Sequence, residues 1–307
     1  MSNNFGIVTS RIQRKGSGQP TTIDGLPVTT SKGNTWYVDA SRSGTGTGKS
    51  WQAAFLTMQE AFNKVGSGDT IRFVGKVLEQ LVTPVQVFDV KVIGMGARPR
   101  HADSTPSGGN THASQWGPPA SGAVSGQATV RVLQQGWVFQ NILFTMESAT
   151  AAAIELVRNA GAGNAERDAS HAQVLDCRFA GAGIGIRSGV AGSFTEIVFN
   201  VLVEGNTFQD NTIAMSGING NQWVINRNLF RGCTDAVKMP SVTGFDISYN
   251  IFNKITTGVI LLTGGSDNSV HYNALPGTYT TGANYAEGTS DNWNGNAAST
   301  GFTAAVP

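Results

Sequence analysis

Between residues 172 and 275 apolar and polar positions alternate in short blocks, and each block closes on the same phrase. The phrase reads Asp176-Cys-Arg-Phe179, Asn206-Thr-Phe208, Asn228-Leu-Phe230, Asn250-Ile-Phe252 and Asn273-Ala-Leu275. From Cys177 its anchor advances by 29, 22, 22 and 23 residues, the range in which each repeat is one supersecondary unit stacked on its neighbours. Seven and five residues before the closing Phe or Leu stand Ala172 and Val174, Val201 and Val203, Trp223 and Ile225, Phe245 and Ile247, then Asn268 and Val270. Between and after them runs a more polar set, including Gln173, Glu204, Asn226, Asp246, Ser248 and His271. A period of two predicts a strand. A second alternating pair follows the phrase, at Ile184 and Ile186, Ile213 and Met215, Val237 and Met239, Val259 and Leu261. Each coil therefore carries at least two short strands.

Leucine-rich repeats have this length, but they need regular leucines and a helical return, and neither is present. The pattern predicts an all-β chain, a parallel β-helix whose coils rise about 4.8 Å each. Like residues then sit above like. The column Asn206, Asn228, Asn250, Asn273 becomes a structural ladder, because Asn tolerates the left-handed backbone of a tight corner and stacked amides hydrogen-bond along the column.

Residues 1–33 lack sustained periodicity and read as an extended N-terminal arm, with Arg11, Arg14 and Lys15 as its basic, particle-binding cluster. Residues 34–275 form the solenoid. Its capping strand and helix occupy 34–69, the helix running from Trp51 to Val65, and the coils occupy 70–275 with an insertion at 97–128. Residues 276–307 form a C-terminal cap or tail, since a last coil exposes strand edges that need covering.

WYVDASRSGTGTGKSWQAAFLTMQEAFNKVGSGDTIRF, from Trp36 to Phe73, resembles the opening segment of pectate-lyase-like right-handed β-helices. That family opens with a YVD strand, a Gly-rich loop, a PF-x-T-x-x-x-A helix and a GDTI strand; here Ala54-Phe55 replaces Pro-Phe. The resemblance extends to about residue 275 and implies a right-handed parallel β-helix with a short N-terminal capping helix. It does not fix a chemistry, because the superfamily holds lyases, hydrolases, esterases and phage tailspikes.

A formal net charge of +1 gives no footprint for nucleic acid or an anionic membrane. No run suits a signal peptide or membrane span, so synthesis in a host cytoplasm is expected. Cys177 and Cys233 occupy different repeat positions and are expected as buried thiols.

Chemistry is sparse. Gly44-Thr-Gly-Thr-Gly48-Lys49-Ser50 lacks the first Gly of a phosphate loop, Ser43 standing there. Outward columns offer only Glu204 and Asp246, too few for a Ca²⁺ site. No metal or cofactor is expected. Asp210 and Asp235, taken as corner residues of adjacent coils, are the candidate catalytic pair, since glycoside hydrolysis needs two carboxylates roughly 5 to 9.5 Å apart. Residues 137–186 are distantly similar to pectin methylesterases, but Ala153 and Ile184 lie where the catalytic motifs of that family fail to match. Trp116, His112 and Trp293 are the candidate glycan- or partner-binding residues. The resemblance to phage tailspikes and tailspike-like decoration proteins implies a virion protein, docked on capsid or tail by its arm, with host surface polysaccharide as ligand. A polysaccharide depolymerase is the alternative. Leu202, Val224, Ile260 and Leu262, read as outward apolar residues, predict a homotrimer.

Overall fold

A computed structural model of the chain describes residues 33–96, 114–146, 148–159, 167–189, 197–218, 220–275, 284–286 and 288–298, together with three short strands before residue 33. Two compact units divide at Gly33 and Asn34. The first contains the strands Ile12–Arg14, Pro20–Ile23 and Leu26–Pro27 in an antiparallel sheet. That departs from a purely extended arm. Arg14 lies on its first strand, and Arg11 and Lys15 fall outside the described residues.

The second unit is a parallel β-helix with three long sheets. The first holds ten strands from Thr35–Asp39 to Asn292–Asn294, the second nine from Lys76–Leu78 to Ala297–Ala298, and the third eight from Leu81–Val82 to Asn284–Ala286. Sequence columns become spatial columns. Along the first sheet Ile71, Val92, Phe139, Val174, Val203, Ile225, Ile247, Val270 and Trp293 stack inward in register. Along the second, Trp116, Phe144, Phe179, Phe208, Phe230 and Phe252 do the same. The rings from Phe179 to Phe252 lie 4.7 to 4.9 Å apart and nearly parallel, the spacing that strand pairing imposes on them. The paired strands run on to Ala298, so stacking continues past the predicted end at 275.

The ladder is present, although the backbone reason given for it is not. Cys177, Asn206, Asn228, Asn250 and Asn273 each donate their backbone N–H to the side-chain oxygen of the next Asn, at 2.8 to 3.0 Å, and the series ends on Asn296. The left-handed corner residue is the one before each Asn. The Asn itself turns its amide inward, where Nδ2 of Asn228, for example, reaches the Val203 carbonyl at 2.9 Å.

Strict alternation fails on the third sheet. Pairing runs from Ile184 to Ile213 and from Ile186 to Met215, with no ladder pair between Gly185 and Ala214. At this bend two consecutive residues enter the core, as with Ala236 and Val237 or Val259 and Ile260. Counting by twos therefore slips by one residue. Val237, not Met239, stacks under Met215, and Ile260 and Leu262 are buried core residues rather than outward ones. Leu202 and Val224 do lie on the outer face, half-buried.

The capping helix is shorter than Trp51 to Val65. A 3₁₀ turn at Trp51–Ala53 gives way to extended chain, with Phe55 bridged to Val38, and the α-helix occupies only Met58–Phe62. Thr57 and Glu60 form its capping box, which explains why the helix starts there. The glycine loop before it turns inward: the N–H groups of Gly46 and Gly48 donate to the carbonyls of Ala54 and Ala53. Its amides hold the cap rather than a phosphate.

Candidate functional site

Outside the ladder runs a second column, made by the left-handed residue that precedes each anchor. Asn141, Asp176, Gly205, Arg227, Tyr249, Tyr272 and Gly295 occupy it in successive coils, with φ between 53° and 70°. The residue that follows each points the other way, inward. A Cβ on Gly205 would come 2.9 Å from Asp176 Oδ1, and one on Gly295 would come 2.7 Å from ring carbons of Tyr272. Corner side chains thus lie down across the following coil.

Beside this column stands the last outward column of the first sheet, Gln140, Leu175, Glu204, Asn226, Ser248, His271 and Asn294. The two columns enclose adjoining depressions. One, of about 430 Å³, is lined by Ile93, Gly94, Met95, Gln140, Asn141 and Asp176. The next, of about 540 Å³, is lined by Leu175, Asp176, Glu204, Gly205 and Arg227. Asp176 belongs to both, so they form one axial groove. Arg227 Nη1 lies 2.9 Å from Glu204 Oε1, across one coil.

One coil beyond Arg227 the groove meets a ridge of rings. Tyr249 and Tyr272 stack with centroids 5.4 Å apart, and His271 packs edge-on against both. Each tyrosine is 54% exposed, the largest exposure of any described aromatic residue. His271 Nδ1 lies 3.1 Å from Ser269 Oγ and 3.8 Å from Asp246 Oδ1. Both groups address one ring nitrogen, so the imidazole cannot link them as a catalytic triad does.

The predicted catalytic residues Asp210 and Asp235 occupy different settings. Asp210 is exposed at a different corner, between the second and third sheets, where its neighbour in the next coil is Gly232. Asp235 is not a corner residue: it opens the strand Asp235–Lys238, is buried between Ile213 and Gly258 in its column, and pairs with Lys238 at 3.0 Å. The two lie in adjacent coils, Asp210 at the corner and Asp235 at the start of the third-sheet strand. Asp176 and Glu204 are also brought together. Leu175 is in register with Glu204, which sets Asp176 one coil back and one residue on. Absorbing Asp176 into the repeated phrase hid it.

Trp116 is not a surface residue. It is fully buried at the head of the phenylalanine column, 5.9 Å from Phe144, because Gln115-Trp-Gly is itself a coil strand and not part of an open insertion. Trp293 is likewise inward, stacked on Val270 in the last coil of the first sheet. His101 and His112 fall outside the described residues.

One charged cluster escaped sequence reading. Glu155, on the third sheet, is fully buried between Arg131 and Arg187, the latter at 2.8 Å. Both its oxygens are engaged, which makes it a neutralised internal charge rather than an open acid. Among the described residues no three His, Cys, Asp or Glu side chains gather as a metal site. Burial pushes the Cys177 and Cys233 thiols up to about 12, and both are free.

No protein-family model matches the sequence, and no curated protein does. Solved structures do match in shape. A pectin methylesterase from Aspergillus niger superposes with a TM-score of 0.52 at 15% identity, covering 89% of this chain and 87% of that one. Escherichia coli YbhC gives 0.55 at 13% identity, over 91% and 90% of the two chains. The fold is therefore a right-handed parallel β-helix, as the opening segment and the repeat implied. Likeness at this identity defines the fold and leaves the chemistry to the residues of this chain.

Proposed function

We propose that the protein is a glycan-binding β-helical spike of the tailspike kind, carried on a phage particle through residues 1–33, which contacts capsid or tail protein. The observation that supports binding over catalysis is the outer corner. There an exposed aromatic ridge continues a polar groove, while Asp235 is buried and paired with Lys238. The separate compactness of residues 1–33 supports attachment through that unit. A homotrimer is part of the proposal, with outward Leu202 and Val224 at the subunit contacts. Deleting residues 1–33 should abolish incorporation into particles and leave the melting temperature of the β-helix unchanged. Normal incorporation of the truncated chain would contradict attachment through this unit, and a monomeric mass by light scattering would contradict the trimer.

A second reading, polysaccharide hydrolysis, is favoured by one observation: Asp176 and Glu204 line the same depression from adjacent coils, with Arg227 holding Glu204. Two carboxylates roughly 5 to 9.5 Å apart are what glycoside hydrolysis requires. Its test is the appearance of new reducing ends from host capsule or lipopolysaccharide. Release that is lost in both Asp176→Asn and Glu204→Gln would make the protein a depolymerase.

A further inference from the structure

We infer that the outer corner from Asp176 to Tyr272 is a binding site for an uncharged glycan, an extended chain of hexose or N-acetylhexosamine units lying parallel to the helix axis. The inference rests on the glycan-binding reading above and adds the place and the chemical class of the ligand.

Shape comes first. From Asp176 to Tyr272 the column advances four coils, roughly 19 Å at about 4.8 Å per coil, with one side chain offered at each step. A straight row of this kind suits a repeating linear polymer. At one end Asp176, Glu204 and Arg227 present hydrogen-bonding groups inside a depression of about 540 Å³. At the other, Tyr249 and Tyr272 present ring surface and hydroxyls, flanked by the polar Asn226 and Asn294. Apolar ring surface beside a few placed polar groups matches the alternating CH faces and hydroxyls of a sugar.

Backbone conformation adds an independent argument. A left-handed backbone disfavours residues with a Cβ by about 1 to 2 kcal/mol, and glycine serves this corner at positions 205 and 295. Tyr is nevertheless placed there in two successive coils, at φ 55° and 54°. Strain of that kind concentrates where side chains have work outside the fold.

Charge and width then select the ligand. Along the groove the carboxylates of Asp176 and Glu204 face the guanidinium of Arg227, with Asp246 one column over beside His271, while Arg178 on the neighbouring strand is buried and bonded to Gln209. An excess of acid repels polyuronates. A protein partner fits poorly, because the exposed apolar surface is one column wide, Tyr249, Tyr272 and the adjacent Ile251. A stable protein interface needs roughly 800 Å² on each side.

The test uses the full chain and the double variant Tyr249→Asn/Tyr272→Asn, since Asn141 already holds a left-handed position in the same column. Lys254→Asn, left-handed at a different corner, is the control. All three are applied to an array of uncharged hexose and N-acetylhexosamine oligosaccharides printed beside oligogalacturonates, and their melting temperatures and sedimentation are measured. The expected result is retention on uncharged oligosaccharides, weakened at least tenfold in the double variant alone, with melting unchanged. Retention only on oligogalacturonates, or retention indifferent to the tyrosines, overturns the inference while leaving glycan binding in place. No retention on any sugar overturns both, and loss of self-association in the double variant would instead make the ridge a contact between copies of the chain.

Discussion

Asn250 and Tyr249 are neighbours in sequence and opposites in environment. The asparagine belongs to an inner column that is nearly uniform from Asn206 to Asn296, fully buried at Asn250, and bonded on every side. The tyrosine belongs to an outer column that varies, from Asp to Gly to Arg before Tyr occupies two successive coils, and is more than half exposed. Repetition follows from stacking, because a ladder works only if each rung finds the same partner above and below. Variation marks the face that stacking leaves free to meet something else.

Substitutions inside the stack should have the largest effects. Phe230→Ala removes a fully buried ring held between two others and should lower stability by about 3 to 5 kcal/mol, read from the urea midpoint. Asn228→Ala comes next. It strips the acceptor from the backbone and amide donors of Asn206 and the donor from the Val203 carbonyl. Unpaired buried groups of this kind should total about 3 kcal/mol. A loss below 1 kcal/mol would mean that the ladder accompanies the fold without supporting it.

A smaller effect is expected at the cap, and it depends on pH. Burial raises the Glu79 carboxyl above its usual 4.5, with the Met58 and Gln59 N–H groups opposing the shift. A raised folded value means that the native state keeps the proton longer than the unfolded chain. Glu79 therefore contributes most below about pH 4.5, and that contribution is lost as pH rises through the raised value. Glu79→Gln should flatten this part of the stability profile between about pH 4 and pH 7; an unchanged profile would place the dependence elsewhere. Smallest of all is Arg227→Asn. The guanidinium is 70% exposed and its ion pair with Glu204 lies at the surface, so stability should move by less than about 0.5 kcal/mol. A larger loss would show the outer column to be structural too.

The sequence carried the stack more openly than the site. Period-two columns around Val203 and Ile225 and the recurring Asn-x-Phe were enough to predict parallel coils, because each coil repeats the same requirement. Trp116 broke no rule of that pattern, but the single phrase around it sits among loop-like residues and its place in the phenylalanine column is visible only from pairing. The bend at Gly185 and Ala214 is equally silent, since small residues fit many roles, and it displaced Ile260 and Leu262 from core to surface in a strict count. The acids are less legible. Whether two carboxylates meet depends on which face each occupies, and a distance of 25 residues between Asp210 and Asp235 does not encode that. Asp176 and Glu204 line one depression because they stand at the same corner in adjacent coils.

The division between the two columns is tested most directly by comparing Tyr249→Asn with Asn250→Ala, one residue apart, for unfolding free energy and for retention on uncharged oligosaccharides. Asn250→Ala should lose about 3 kcal/mol of stability and, below its melting temperature, still bind sugar. Tyr249→Asn should melt like the unsubstituted protein and bind at least several-fold more weakly. If instead Tyr249→Asn is as unstable as Asn250→Ala, or binds sugar unchanged, the outer corner is part of the scaffold and the account of it given above is wrong.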